Sequence, residues 1–155
     1  MERRLVEVQD AEELAVLRRT ARECGADLED VELRDLGVTT AVFIVGLTAM
    51  VFKTVERWVK WRVDRQDGGQ VIDLRPGQVL ARRDPGLMPG LLLLVTSDGE
   101  IEVKMLVEGA ELQDVTSTVI NSVLSTGTSG AEAVAAVVQS VVGDRAAVTP
   151  RAVGR

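Results

Sequence analysis

Between Asp35 and Lys53 the chain runs for 17 residues without a charge, LGVTTAVFIVGLTAMVF, and the next 13 residues hold five Lys or Arg and both tryptophans. No other stretch constrains the fold as much. As a helix the uncharged run is roughly 26 Å long at about 1.5 Å per residue, against about 30 Å of bilayer hydrocarbon. No Pro interrupts the sequence before Asp67-Gly68-Gly69, so the pattern predicts one helix over residues 36–65, apolar to Phe52 and then basic and amphipathic. Lys53, Arg57, Trp58, Lys60, Trp61 and Arg62 then read as a membrane-interface segment, the cationic and tryptophan-bearing flank of a helix leaving a bilayer on its cytoplasmic side.

The same residues support a second reading. Val51, Val55, Trp58 and Val59 fall on one helical stripe that could pack on a sheet, with the basic residues as its solvated face. Gly46, Thr48 and Ala49 would let the helix cross another closely in either solvent. Strands on both sides of the helix decide between the two readings. If they share one sheet, both helix ends lie on the same side and no bilayer is crossed.

Residues 1–35 predict a β-α-β unit. RLVEV at 4–8 suits a strand, Asp10 with Glu13 makes a capping-box start, and Ala11, Leu14, Leu17, Ala21 and Cys24 form a stripe ended by Gly25. A second short strand is expected within 28–33, where Leu28, Val31 and Leu33 sit among acids. Beyond the long helix, QVIDL at 70–74 reads as a strand, RPGQ as a turn, VLA at 79–81 as a returning strand, and 82–90 as an irregular loop with two prolines. LLLLVTSDGEIEVKMLV predicts a hairpin about an Asp98-Gly99 type I′ turn, which pairs Thr96 with Ile101 and Leu94 with Val103. Apolar stripes predict two further helices, within 111–126 and 131–142, the second starting at a Ser129/Glu132 capping box. Residues 144–155 read as a flexible tail.

The expected fold class is therefore α+β: a small mixed sheet, made of the N-terminal β-α-β and the hairpin, one long central apolar helix, and two C-terminal helices. Residues 70–143 join 1–35 in one domain unless the helix spans.

Chemistry is sparsely provided. The chain has no His and no Tyr, and one Cys, which removes the commonest general base, imidazole ligation of metals and any intrachain disulfide. A net charge of -6 argues against a nucleic-acid binder. Asp73, Asp84, Asp98, Glu100 and Glu102 lie near turns or strand faces, but no spacing selects a catalytic pair, and solvated surface acid is the ordinary state of each. Cys24 on an apolar stripe reads as packing, and GTSGAE at 127–132 as a helix cap without the Lys of a phosphate loop. No catalytic, cofactor-binding or metal residue is expected, no cofactor, and no small-molecule substrate.

The order of strand, helix, strand, long apolar helix and strand pair over residues 1–125 is similar in outline to small accessory components of bacterial conflict systems. That resemblance implies a non-enzymatic link between a sensor and an effector. The leading expectation is a noncatalytic adaptor anchored by residues 36–52 in the cell (inner) membrane, its C-terminal part cytoplasmic, acting through a protein partner. The alternative is a cytoplasmic, soluble adaptor or self-assembling component whose apolar helix is buried in a core or an oligomer interface.

Overall fold

The structure, a computed structural model, describes residues 1–30, 40–64, 68–75, 77–126 and 130–152. The uncharged run does not form one helix. Its described part divides at Leu47 into a strand, β3 (Thr40–Gly46), and the first turn of a helix, α2 (Thr48–Asp64). The reason is local: TAVFIVG is rich in β-branched and aromatic side chains and alternates with period two. Val42 and Ile44 are buried in the core, while Phe43 and Val45 lie half-buried on the opposite face. Gly46 ends the strand against Ala26 and Val51, where a Cβ would sit 3.5 Å from the Ala26 Cα.

No helix among the described residues is long and apolar enough to cross a membrane. The expected span over 36–52, the anchor it provided and the membrane localisation built on it are therefore corrected. The described part of the run holds two shorter elements with different periodicities, not one helix.

Before β3 come β1 (Glu2–Val8), α1 (Ala11–Cys24) and β2 (Asp27–Asp30). After α2 follow β4 (Gly69–Asp73), β5 (Ala81–Asp84), β6 (Leu91–Val95), β7 (Gly99–Met105), α3 (Gly109–Thr126), α4 (Ala131–Val142) and β8 (Ala146–Ala152). The fold is α+β and, among the described residues, has four helices and one mixed, open sheet of eight strands in the order β2-β3-β1-β5-β4-β6-β7-β8. Strand β3 lies between β1 and β2 and is antiparallel to both, so the N-terminal β-α-β unit is split by an inserted strand. The N-terminal strands and the hairpin thus share one sheet, the condition that forbids a spanning helix.

Core residues of the strands follow a single alternation: Val6, Val42, Ile44, Ile72, Leu92, Leu94, Ile101 and Val103 join one hydrophobic cluster with the buried faces of all four helices. The helices therefore form one layer on one face of the sheet. Within that layer the predicted α2 stripe is correct, since Val51, Val55, Trp58 and Val59 are all 0 % exposed. In α1 the buried set is Glu13, Leu17, Thr20 and Ala21, so the helix is rotated from the predicted stripe and Cys24 is only half-buried. Its caps form as the sequence indicates: Asp10 accepts the Glu13 N–H at 2.8 Å, and Gly25 closes the helix with φ +81.

The hairpin forms with a shifted register. Leu94 pairs with Ile101 and Leu92 with Val103, so Ser97 and Asp98, not Asp98 and Gly99, are the turn residues. The Thr96 hydroxyl decides this, accepting the Gly99 N–H at 3.1 Å and sharing its one proton between the Gly99 carbonyl at 2.8 Å and the Asp98 carboxylate at 3.0 Å. Each strand keeps its inward residues, because the slip moves the pairing by a whole pleat repeat. Gly99 is absent from the glycines with positive φ, and its value lies instead in close approach: a Cβ there would meet the Arg151 carbonyl oxygen at 2.5 Å and the Ala131 Cβ at 3.0 Å.

Within the tail expected to be flexible over 144–155, residues 146–152 instead form β8, paired with β7 from Ala146 opposite Met105 to Ala152 opposite Gly99, and 153–155 lie outside the described residues. The loop expected over 82–90 contains β5, and the strand expected at 79–81 begins only at Ala81. The capping role of Ser129 lies outside the described residues, as does the part of the second strand beyond Asp30.

Candidate functional site

The six residues of the expected membrane-interface segment separate by helical geometry. Lys53 and Arg57 are exposed and Lys60 is half-buried, and their spacing puts them along the outer side of α2. Arg57 faces Glu23 of α1 at 3.5 Å, an exposed pair of small energetic weight. Trp58 is 0 % exposed and stacks on the half-buried Trp61, ring centroids 5.4 Å apart. Arg62 is 1 % exposed, its guanidinium 3.4 Å from the equally buried Glu13 carboxylate, 5.4 Å from the Trp58 ring and bonded to the Glu7 carbonyl at 3.2 Å. Trp58 and Arg62 thus belong to the interior, where the Arg62 charge is compensated by a carboxylate from the facing helix. Without a span to flank, the ground for placing these residues at a bilayer is gone.

Four of the five acids noted in the sequence are engaged in the fold. Asp73 receives two bonds from the Arg75 guanidinium, at 2.9 and 2.7 Å, and this carboxylate holds the Arg75 pKa above its ordinary value. Asp84 accepts the Gly86 N–H, Glu102 pairs with Arg151 at 2.9 Å, and Asp98 accepts the N–H of Ala131 at the start of α4. Among the described residues no three His, Cys, Asp or Glu side chains are grouped to hold a metal ion.

Surfaces for a partner remain. The sheet has two edges, and both resist strand addition. Strand β2 is four residues long with three acids, and β8 carries Pro150, which has no N–H to offer. The sheet face turned away from the helices bears half-buried Leu5, Phe43, Val45, Leu93 and Val95. Ion pairs Arg3–Glu29 and Glu102–Arg151 cross the same face, and the Arg3 guanidinium lies 3.8 Å from the Phe43 ring centroid. Charge is thereby laid over its apolar positions.

The end of the sheet where β7 leads into α3 is different. There a groove of about 360 Å³ is lined by Pro89, Gly90, Met105, Leu106, Val107, Glu108 and Leu112. Leu106 is 58 % exposed, and Met88, in the loop that forms one wall, is 54 % exposed. They are two of only four large hydrophobic residues exposed to that degree among the described residues. Both walls have ordered backbones. Leu87 donates to Asp84 and Leu91 to Met88 within the 85–90 loop, Met105 donates to Gly90 across the walls at 3.0 Å, and Leu106 donates to Arg145 at 2.9 Å. Gly90 and Gly109 take φ of +85 and +63, which lets the chain turn at each side of the groove.

No protein-family model, curated protein or solved structure matches this chain. The outline likeness to conflict-system accessories gains nothing from these comparisons. In the sequence, 82–90 reads only as an irregular loop and the hairpin's end at Val107 carries no role. The available signal was Leu-Met between two Pro-Gly pairs and Leu-Val after a strand, apolar residues where loops ordinarily carry polar ones.

Proposed function

We propose that this protein is a noncatalytic α+β binding module that works as an adaptor, gripping another protein through the groove between the 85–90 loop and residues 105–112. The observation that carries this reading is the pair Met88 and Leu106, large apolar side chains held more than half exposed on hydrogen-bonded backbone. Keeping such groups in water has a free-energy cost of about 25 cal/mol per Å² of apolar surface, recovered when a partner covers them. An ordered wall also spares a partner the entropy of arranging it. The blunted edges of β2 and β8 disfavour self-assembly by strand pairing, so a heterologous partner is the better-supported half of the adaptor reading.

In-cell photo-crosslinking tests this. A photoreactive residue in place of Leu106 should give a discrete protein adduct that Met88→Ser abolishes, whereas the same group in place of Glu132 on α4 should give none. Equal labelling at both positions, or no adduct at 106, would remove the groove as a contact surface.

A further inference from the structure

Resting on that reading of the groove, we propose that its occupant is an amphipathic helix of the partner protein whose apolar stripe is flanked by basic residues. The common peptide-recognition modes leave little else. Strand addition needs a free sheet edge, and the groove lies at the strand ends, with both true edges short or proline-bearing. A polyproline ligand needs aromatic rails, and none of the groove's lining residues is aromatic. A phosphorylated or acidic segment needs an arginine cluster, and the rim here is acidic: Glu108 lines the groove, and Glu111 and Asp114 are exposed on the first turns of α3.

The nearby cations do not offset this rim. The Arg145 guanidinium donates to the carbonyls of Val141 and Val142 at the end of α4, and Lys104 belongs to the opposite face of β7 from Met105. What remains is a groove lined by Met105, Leu106, Val107 and Leu112, with a second flexible thioether, Met88, exposed next to the lining residue Pro89, and a carboxylate rim. Thioether side chains adapt to differently shaped apolar anchors, and the carboxylates select the residues beside them. A groove of about 360 Å³ takes one or two anchoring side chains, with the remainder of the helix lying across the rim.

The test uses the whole chain and two synthetic helical peptides of about 15 residues, long enough to populate a helix. Both carry the same leucine stripe, one with lysine and one with glutamate at the polar positions. NMR shift mapping should place the lysine peptide on residues 88–90 and 105–112, with affinity falling about tenfold or more on raising salt, and should show no binding of the glutamate peptide. Glu108→Lys/Glu111→Lys should reverse the preference. Glu132→Lys/Asp144→Lys makes the same change in net charge on and beside α4 and should leave it unaltered. Equal binding of both peptides, equal loss in the two double variants, or shifts away from the groove would overturn the proposal. A crosslink at 106 combined with any of these outcomes would refute the basic helix while leaving the groove as a protein contact. Absence of the crosslink would refute both.

Discussion

The carboxylate of Asp98 accepts the backbone N–H of Ala131 at 2.8 Å, so the turn between β6 and β7 caps a helix that begins 33 residues later. The flanking residue Gly130 has no side chain to do so, and a Cβ on it would approach Asp98 Oδ2 to 3.0 Å. Thr96 steadies the cap through its hydroxyl, 3.0 Å from Asp98 Oδ1. One four-residue turn therefore sets the hairpin register and orients α4.

The bond from Ala131, followed by that from Thr96, holds the Asp98 pKa below the ordinary carboxylate value. Folding thus binds this group in its charged form. Its stabilising contribution is complete above the unfolded pKa of about 4 and is lost as pH falls through the lower folded value. Asp98→Ala should lower the melting temperature at neutral pH, and the gap from the parent protein should shrink as pH is taken below about 4. Thermal unfolding followed by circular dichroism across that range checks it. A gap independent of pH would mean the charge is not what α4 feels.

Gly99 is confined by what surrounds it, not by a left-handed backbone. Gly99→Val should destabilise the fold by about 1–3 kcal/mol through overpacking against Arg151 and Ala131. Urea unfolding gives the number. A neutral result would show that β8 can move away at no cost and that its pairing with β7 is loose.

Removing one member of the buried Glu13–Arg62 pair takes a charge away from its buried opposite, so Arg62→Met should destabilise by about 3–5 kcal/mol. Glu13→Met/Arg62→Met replaces both charges with apolar side chains and should recover most of that loss. A double-mutant cycle measures the coupling. If the double variant is as unstable as the sum of the singles, Arg62 matters chiefly through its bond to the Glu7 carbonyl and its packing on Trp58.

At the β8 edge, Pro150 lies opposite Ile101 and leaves a gap in the donors presented outward. Pro150→Val supplies the missing N–H on a seven-residue edge strand. Concentration-dependent self-association, read by light scattering after size exclusion, should follow. A variant that stays at the parent's mass would show that the edge is protected by something other than the proline.

The candidate site was harder to read from the sequence than the fold. Met88 and Leu106 lie far apart along the chain, in segments without periodicity, and they come to the same end of the sheet only because Met105 bonds Gly90 across β6 and β7. The basic run misled for a related reason. Lys53, Arg57 and Arg62 look alike in a sequence, but only Arg62 lies on the helical face turned toward Glu13.

By itself the sequence determined the local elements whose signals are local. The α1 caps at Asp10 and Gly25, the α2 stripe of valines with Trp58, the apolar faces of the β6-β7 hairpin and the two closing helices all follow from side-chain spacing and backbone preference. The local strand preference within the uncharged run is realised only in the tertiary structure, because a strand at 40–46 is stable only between β1 and β2 and a helix at 48–64 only over that sheet. Tertiary structure also decided that residues 146–152 form an edge strand and that Asp98 caps α4. An apolar run records that side chains must leave water, and only the neighbours it meets determine whether lipid, sheet or helix takes them in.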